Sequence, residues 1–373
     1  MHRLTRCAAV GIAISWMAGA RPTGGAAQDR PSRPAPTTVA TPQAGAPATA
    51  APFVSPRTPW GDPDLQGTWP GGPVFSVPFE RAPELGTRAT LSDEEAAKRN
   101  ASIDAQLAGP PSANFWPELG HAPPLTSLVV EPENGRLPPM TEDGARRAND
   151  WRVIADPAYP AAAAADLRPY DRCITRGVLG SAFPNQYGSG MQVHQAPGFV
   201  VIRYEMVHEA RVIPLDPSAL REPQGRPEES RGTTGSTSAR ARSKTDWRPH
   251  LSPAIRSYMG DPRGWWEGDT LIVETTNFNG RTGSYGRNGD GNPTSTALRL
   301  VERFRLRDSD TLLYEVLVED PQTWVRPWKV AFPLRRDESY VLHEYACHEG
   351  NYALSNILRA ARAAERAGTG KRE

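Results

Sequence analysis

Residues able to move protons gather at one point in the chain: Glu344, Cys347, His348, Glu349 and Asn351, where an extended segment runs into a C-terminal helix. An imidazole beside a carboxylate is the pair that general acid/base catalysis needs, and His348 with Glu349 supplies it. The same residues suit a capping cluster in which Asn351 and Glu349 satisfy the first amides of the helix. A zinc site is excluded here: His343-Glu344 followed by His348 is one residue longer than H-E-x-x-H, and imidazoles at i and i+5 of a helix point roughly 140° apart. Asp171-Arg172-Cys173 forms a second charged group. A bridge from Cys173 to Cys347 brings Asp171 and Arg172 beside His348 and Glu349, the neighbourhood an acid/base site requires.

A third set is marked by polar residues on apolar strand faces. Glu302 shares a face with Leu300 and Phe304, and Arg326 shares one with Trp324 and Trp328. Buried charges pair, so Glu302 with Arg326 is the expected ion pair, with Glu344 alongside Leu342 able to join it. Two readings stay open: a structural ion pair, or a polar belt lining a cavity walled by Tyr314, Trp324 and Trp328. His208, at the end of the apolar face of Val200, Ile202, Tyr204 and Met206, belongs to the same set either as a core histidine or as a lining residue.

The elements that carry these residues are mostly strands. Leu298 to Arg307 alternates without a break, and the next strand places Leu312, Tyr314, Val316 and Val318 on one face. A third carries Trp324, Trp328, Val330 and Phe332, and a fourth is expected from Tyr340 to Cys347. Leu125–Val130, Phe199–Val207, Ala210–Pro214 and Leu271–Thr276 add further strands. Short connections predict a mainly β fold, an antiparallel meander or a lipocalin-like barrel, with a few peripheral helices. Ser92 to Glu95 is a capping box that opens a polar helix to about Leu107, and Thr141 to Arg152 is a weaker helix. A last helix, Asn351 to Glu365, presents Leu354, Ile357, Leu358 and Ala361 as a stripe toward the sheet.

The 373 residues balance 43 Lys+Arg against 42 Asp+Glu, which argues against nucleic acid or an anionic membrane as partner. Residues 1–27 read as a signal peptide: a basic start, about 14 apolar residues, too few to span a bilayer, then Gly25-Ala26-Ala27. The mature chain is therefore expected in the periplasm or outside the cell, without a transmembrane span. In that compartment Cys173 and Cys347 invite one disulfide, two buried free thiols being the alternative. Nine prolines between Gln28 and Pro63 predict a disordered linker, and 217–248 a disordered insertion in a single domain over 64–366. No P-loop, G-x-G-x-x-G after a strand, G-x-S-x-G elbow, C-x-x-C or haem motif occurs, so no cofactor is expected. Asn288 to Asn292 lacks the spacing of a calcium loop and reads as a turn.

Five segments together carry a family resemblance: Asp62-Pro63-Asp64-Leu65-Gln66-Gly67-Thr68-Trp69, TSLVVEPENGRLPP (Thr126 to Pro139), WEGDTLIVETTNFNG (Trp266 to Gly280), VEDPQTWVRPW (Val318 to Trp328) and YACHEGNYALSNILRAARAAE (Tyr345 to Glu365). The chain resembles a large family of exported acidobacterial and proteobacterial proteins, with which no activity, cofactor or catalytic residue is associated. Gly67-Thr68-Trp69 is similar to the G-x-W opening of lipocalins, which implies a barrel around a small molecule. The leading expectation is binding of a small, partly apolar molecule inside a barrel. The alternatives are a cofactor-independent lyase, hydratase or hydrolase, and an envelope structural module.

Overall fold

Among the described residues ten strands build the fold, and the two-residue period of the sequence sets which face of each is buried. In the computed structural model, which describes residues 53–109, 119–155, 161, 163–185, 187–216, 249–283 and 292–368, these strands form two antiparallel sheets. All described residues belong to one unit, Pro52–Glu373. The smaller sheet contains β1 (Gly67–Pro70), β3 (Gly190–Ala196), β4 (Phe199–Tyr204) and β5 (Ala210–Pro214), in the order β1-β3-β4-β5. The larger contains β2 (Val129–Glu131), β6 (Asp261–Glu267), β7 (Thr270–Thr276), β8 (Arg299–Asp308), β9 (Thr311–Glu319) and β10 (Trp328–Arg335). Its order, β2-β10-β9-β8-β7-β6, is the expected meander with β2 added at the far edge.

The faces are those the alternation predicts. Leu300, Glu302, Phe304 and Leu306 of β8 point inward opposite Leu312, Tyr314, Val316 and Val318 of β9. Trp69, Val200, Ile202, Tyr204 and Ile213 of the smaller sheet close the same core. The ladder does not close into a barrel. At one side β5 meets β6 through a parallel bridge, Leu215 to Gly264, where the Asp216 amide donates to the Gly264 carbonyl over 2.9 Å. The approach is close: a Cβ on Gly264 would sit 2.8 Å from the Leu215 side chain and 2.9 Å from that of Ile213, so a larger residue displaces them. At the other side the Asp337 amide reaches the Thr68 carbonyl over 3.0 Å, and the Arg336 guanidinium lies 4.6 Å over the Trp69 ring.

Among the described residues four α-helices stand outside the sheets: α1 (Asp93–Ala108), α2 (Glu142–Ala155), α3 (Gly177–Ala182) and α4 (Tyr352–Arg366). The capping box of α1 forms as read from the sequence, with Ser92 and Glu95 each accepting the other's backbone amide. Asn351 caps α4, accepting from the Leu354 amide. The apolar stripe of α4 is only partly covered: Ala361 is buried and Ile357 is 40% exposed. α4 and its cap meet the stretch 161–173, with Arg362 donating to the Ala161 carbonyl and Asn351 to the Asp171 carbonyl.

Four expected strands differ: Leu125–Val130 is reduced to β2 at Val129–Glu131, Phe199–Val207 ends at Tyr204, one does not form and one starts late. Tyr340 to Cys347 forms no strand: the chain turns at Asp337-Ser339 and crosses the end of the smaller sheet, where Glu205 takes its donors. Trp324 and Arg326 precede β10, because the Asp320 carboxylate and carbonyl fold 320–324 into a turn and Pro327 delays the ladder to Trp328. Structure also begins before Pro63: Thr58 and Asp62 are buried and Arg57 pairs with Asp269, so residues 53–63 belong to the fold. The signal peptide, the linker up to residue 52, the insertion 217–248 and the turn residues 288–291 lie outside the described residues.

Candidate functional site

Glu302 is fully buried and has an ion-pair partner, but the partner is Arg211 of β5 rather than Arg326. Arg211 reaches across from the smaller sheet and holds both carboxylate oxygens, Nη2 to Oε2 at 2.6 Å and Nη1 to Oε1 at 3.0 Å. Tyr314 donates its hydroxyl to Oε1 at 3.1 Å, and Arg211 also donates to Tyr204 and Thr275. Burial alone would pull Arg211 down, but the adjacent Glu302 outweighs it and holds the guanidinium above its ordinary pKa. Burial pushes the Tyr204 hydroxyl up to about 12. Arg326 is exposed because it sits in the turn, and Glu344 is exposed because its strand does not form. Trp324 and Trp328 pack edge to face at 5.3 Å, and Tyr314 sits between Phe304 and Phe332 at 5.0 and 5.2 Å. These aromatic residues fill the core, and the charge cluster is bonded within it. His208 falls in a 3-10 turn after β4 ends at Tyr204, so the strand period does not carry to it.

The disulfide joins Cys173 to Cys347. It brings the 171–173 stretch to the turn before α4, where Asn351 donates to the Asp171 carbonyl and to Cys173 Sγ. The acid/base geometry is looser than the sequence suggests. Asp171 is engaged by Arg168 at 2.9 Å, Arg172 is half-buried, and His348 and Glu349 are exposed. Polar groups that the sequence reading did not single out are better enclosed. Glu205, 5% exposed, accepts from Tyr340 at 2.7 Å, from the Gly190 amide at 3.1 Å and from the His343 amide at 3.2 Å. Tyr170 and Tyr345 share a hydrogen bond of 3.0 Å, and burial raises the Tyr170 hydroxyl well above its usual range.

A cavity of about 440 Å³ opens elsewhere, between loop 76–91, α1 and the chain entering β2. Its walls are stitched by backbone bonds, Leu91 amide to Pro124 carbonyl and Thr126 amide to Ala89 carbonyl. Pro78, Leu85, Leu91 and Leu125 supply apolar surface, and Arg81, Arg99 and Arg136 supply charge. Arg81 is buried and donates to Thr126 Oγ1 and to the carbonyls of Gly86 and Glu133. Gly135, at φ +66°, lets Arg81 in: a Cβ there would lie 2.9 Å from its side chain. Arg99 donates to the Leu125 and Pro123 carbonyls, while its buried Nε has no partner. Burial lowers Arg99 below the usual arginine pKa. Arg136 donates to the Arg81 carbonyl. Among the described residues no carboxylate pairs with any of the three. Glu80, the one acid on the lining, accepts from the Leu137 amide. Sequence patterning had no means of finding this site, since Arg81 and Arg136 lie in loops without period and Arg99 is one of many charges on a polar helix.

Among the described residues no helix is long and apolar enough to cross a membrane, and no group of His, Cys, Asp and Glu is arranged to hold a metal ion. Comparison of the chain with protein-family models, curated proteins and solved structures found no match.

Proposed function

We propose that this chain is an exported protein that binds a small molecule, and that the ligand occupies the cavity beside α1 rather than the space between the sheets. The observation that carries the reading is the 440 Å³ cavity itself, a volume within the ordinary range of small-molecule sites, with apolar walls and a few convergent polar groups. Side chains occupy the space between the sheets, which weighs against a ligand there. Export is supported by the basic, apolar and small-residue order of residues 1–27 and by the Cys173–Cys347 bridge. An acid/base function draws on that bridge too, but His348 and Glu349 are exposed to solvent.

Native mass spectrometry of the full chain, combined with a ligand-observed NMR screen, tests the binding function. Bound species or hits that disappear in Leu91→Trp, which fills the cavity, are the expected result. Hits that persist in Leu91→Trp, or no hit at all, overturn it.

A further inference from the structure

The lining of this cavity carries three guanidinium groups against one carboxylate, Glu80. Arg81 is buried, Arg99 half-buried and Arg136 exposed, and with one carboxylate among them the lining carries a net positive charge that favours an anion. The donors left for that anion are few. Arg81 spends Nε and Nη1 on Thr126, Gly86 and Glu133, Arg99 spends both Nη groups on the chain at 122–125, and Arg136 spends Nη1 on the Arg81 carbonyl, leaving the Nε and Nη2 edge of Arg136 for a ligand. Two acceptor oxygens in a plane match a small number of guanidinium donors, whereas a tetrahedral phosphate presents three oxygens that each ask for donors. Leu85, Leu91 and Leu125 leave the rest of the space apolar.

We infer that the cavity takes a monocarboxylate with an apolar tail, its head on the Arg136 guanidinium beside the charge of Arg99 and its tail on the three leucines; this rests on the binding function proposed above. Isothermal titration of the full chain with octanoate, octanamide and octyl phosphate tests it. Octanoate is expected to bind at least tenfold more tightly than octanamide, a difference of about 1.4 kcal/mol, and no more weakly than octyl phosphate. The preference over the amide is expected to fall severalfold in Arg136→Ala, whose exposed side chain holds one backbone carbonyl, and in Arg99→Gln. Circular dichroism confirms that each variant is folded. Equal binding of octanoate and octanamide, both lost in Leu91→Trp, overturns the carboxylate class while leaving the binding function standing. Tighter binding of octyl phosphate overturns it in the same way. No binding by any probe, or binding indifferent to Leu91→Trp, overturns both together.

Discussion

Arg211 and Glu302 are two full charges, each 1% exposed or less at the side chain, and their stability depends on being present together. Removing one leaves the other buried and uncompensated, which costs about 3–5 kcal/mol, whereas replacing both by apolar groups is near neutral. Urea denaturation is therefore expected to show a large loss for Arg211→Met and recovery of most of it in Arg211→Met with Glu302→Leu; a double variant no more stable than the single would contradict this. Tyr314→Phe, which removes one donor to the carboxylate, is expected to cost about 1–2 kcal/mol. Glu302 stood out in the sequence because it interrupts an apolar face. Arg211 carries the same signal, on the inward face with Ile213, but its pairing spans 91 residues and two sheets. No strand period encodes that distance.

Local chemistry decides individual elements well. The α1 cap could be read from Ser92 and Glu95 alone, because its partners lie three residues apart. Arg88, the largest influence, and the Ser92 amide hold Glu95 at about 2, below its ordinary 4.5. Its contribution is thus in place above pH 4.5 and is lost as pH falls toward 2. The melting-temperature gap between the native chain and Glu95→Gln is expected to be open at pH 6 and to close near pH 2; a gap that is constant with pH would exclude the ionised cap as its source. The β5–β6 seam is crowded at Gly264, so Gly264→Val is expected to lower the melting temperature by several degrees, with faster amide exchange at Leu215 and Asp216. Tyr340–Cys347 has a strand-like composition but follows a turn that leads it onto Glu205. Propensity does not say whether an edge is available.

At the scale of the molecule, the C-terminal segment is attached by a bridge rather than by a ladder. The cysteines are 174 residues apart, and closing so long a loop stabilises the fold against global unfolding by roughly 5 kcal/mol in the chain-entropy picture. The segment after Asp337 otherwise holds to the body through Tyr340 and His343 on Glu205, Tyr345 on Tyr170, and the α4 contacts. Reduction is therefore expected to speed hydrogen exchange across 340–366 while leaving the near-ultraviolet circular dichroism of buried Trp69, Trp324 and Trp328 intact. Exchange across 340–366 that stays as slow as in the sheets after reduction would contradict this.

The sequence by itself determined the β character, the inward faces of β8, β9 and β10, the caps of α1 and α4, and the buried position of Glu302. Each follows from residues within a few positions of one another, where backbone geometry fixes what neighbours share. Only the tertiary structure decided that Arg211 is Glu302's partner, that the predicted aromatic walls are core, and that the sheets meet without closing. The same holds for the cavity, whose arginines come from a loop, a helix and a second loop. Contacts between distant segments depend on how elements dock, and the two-residue and 3.6-residue periods carry no information about docking.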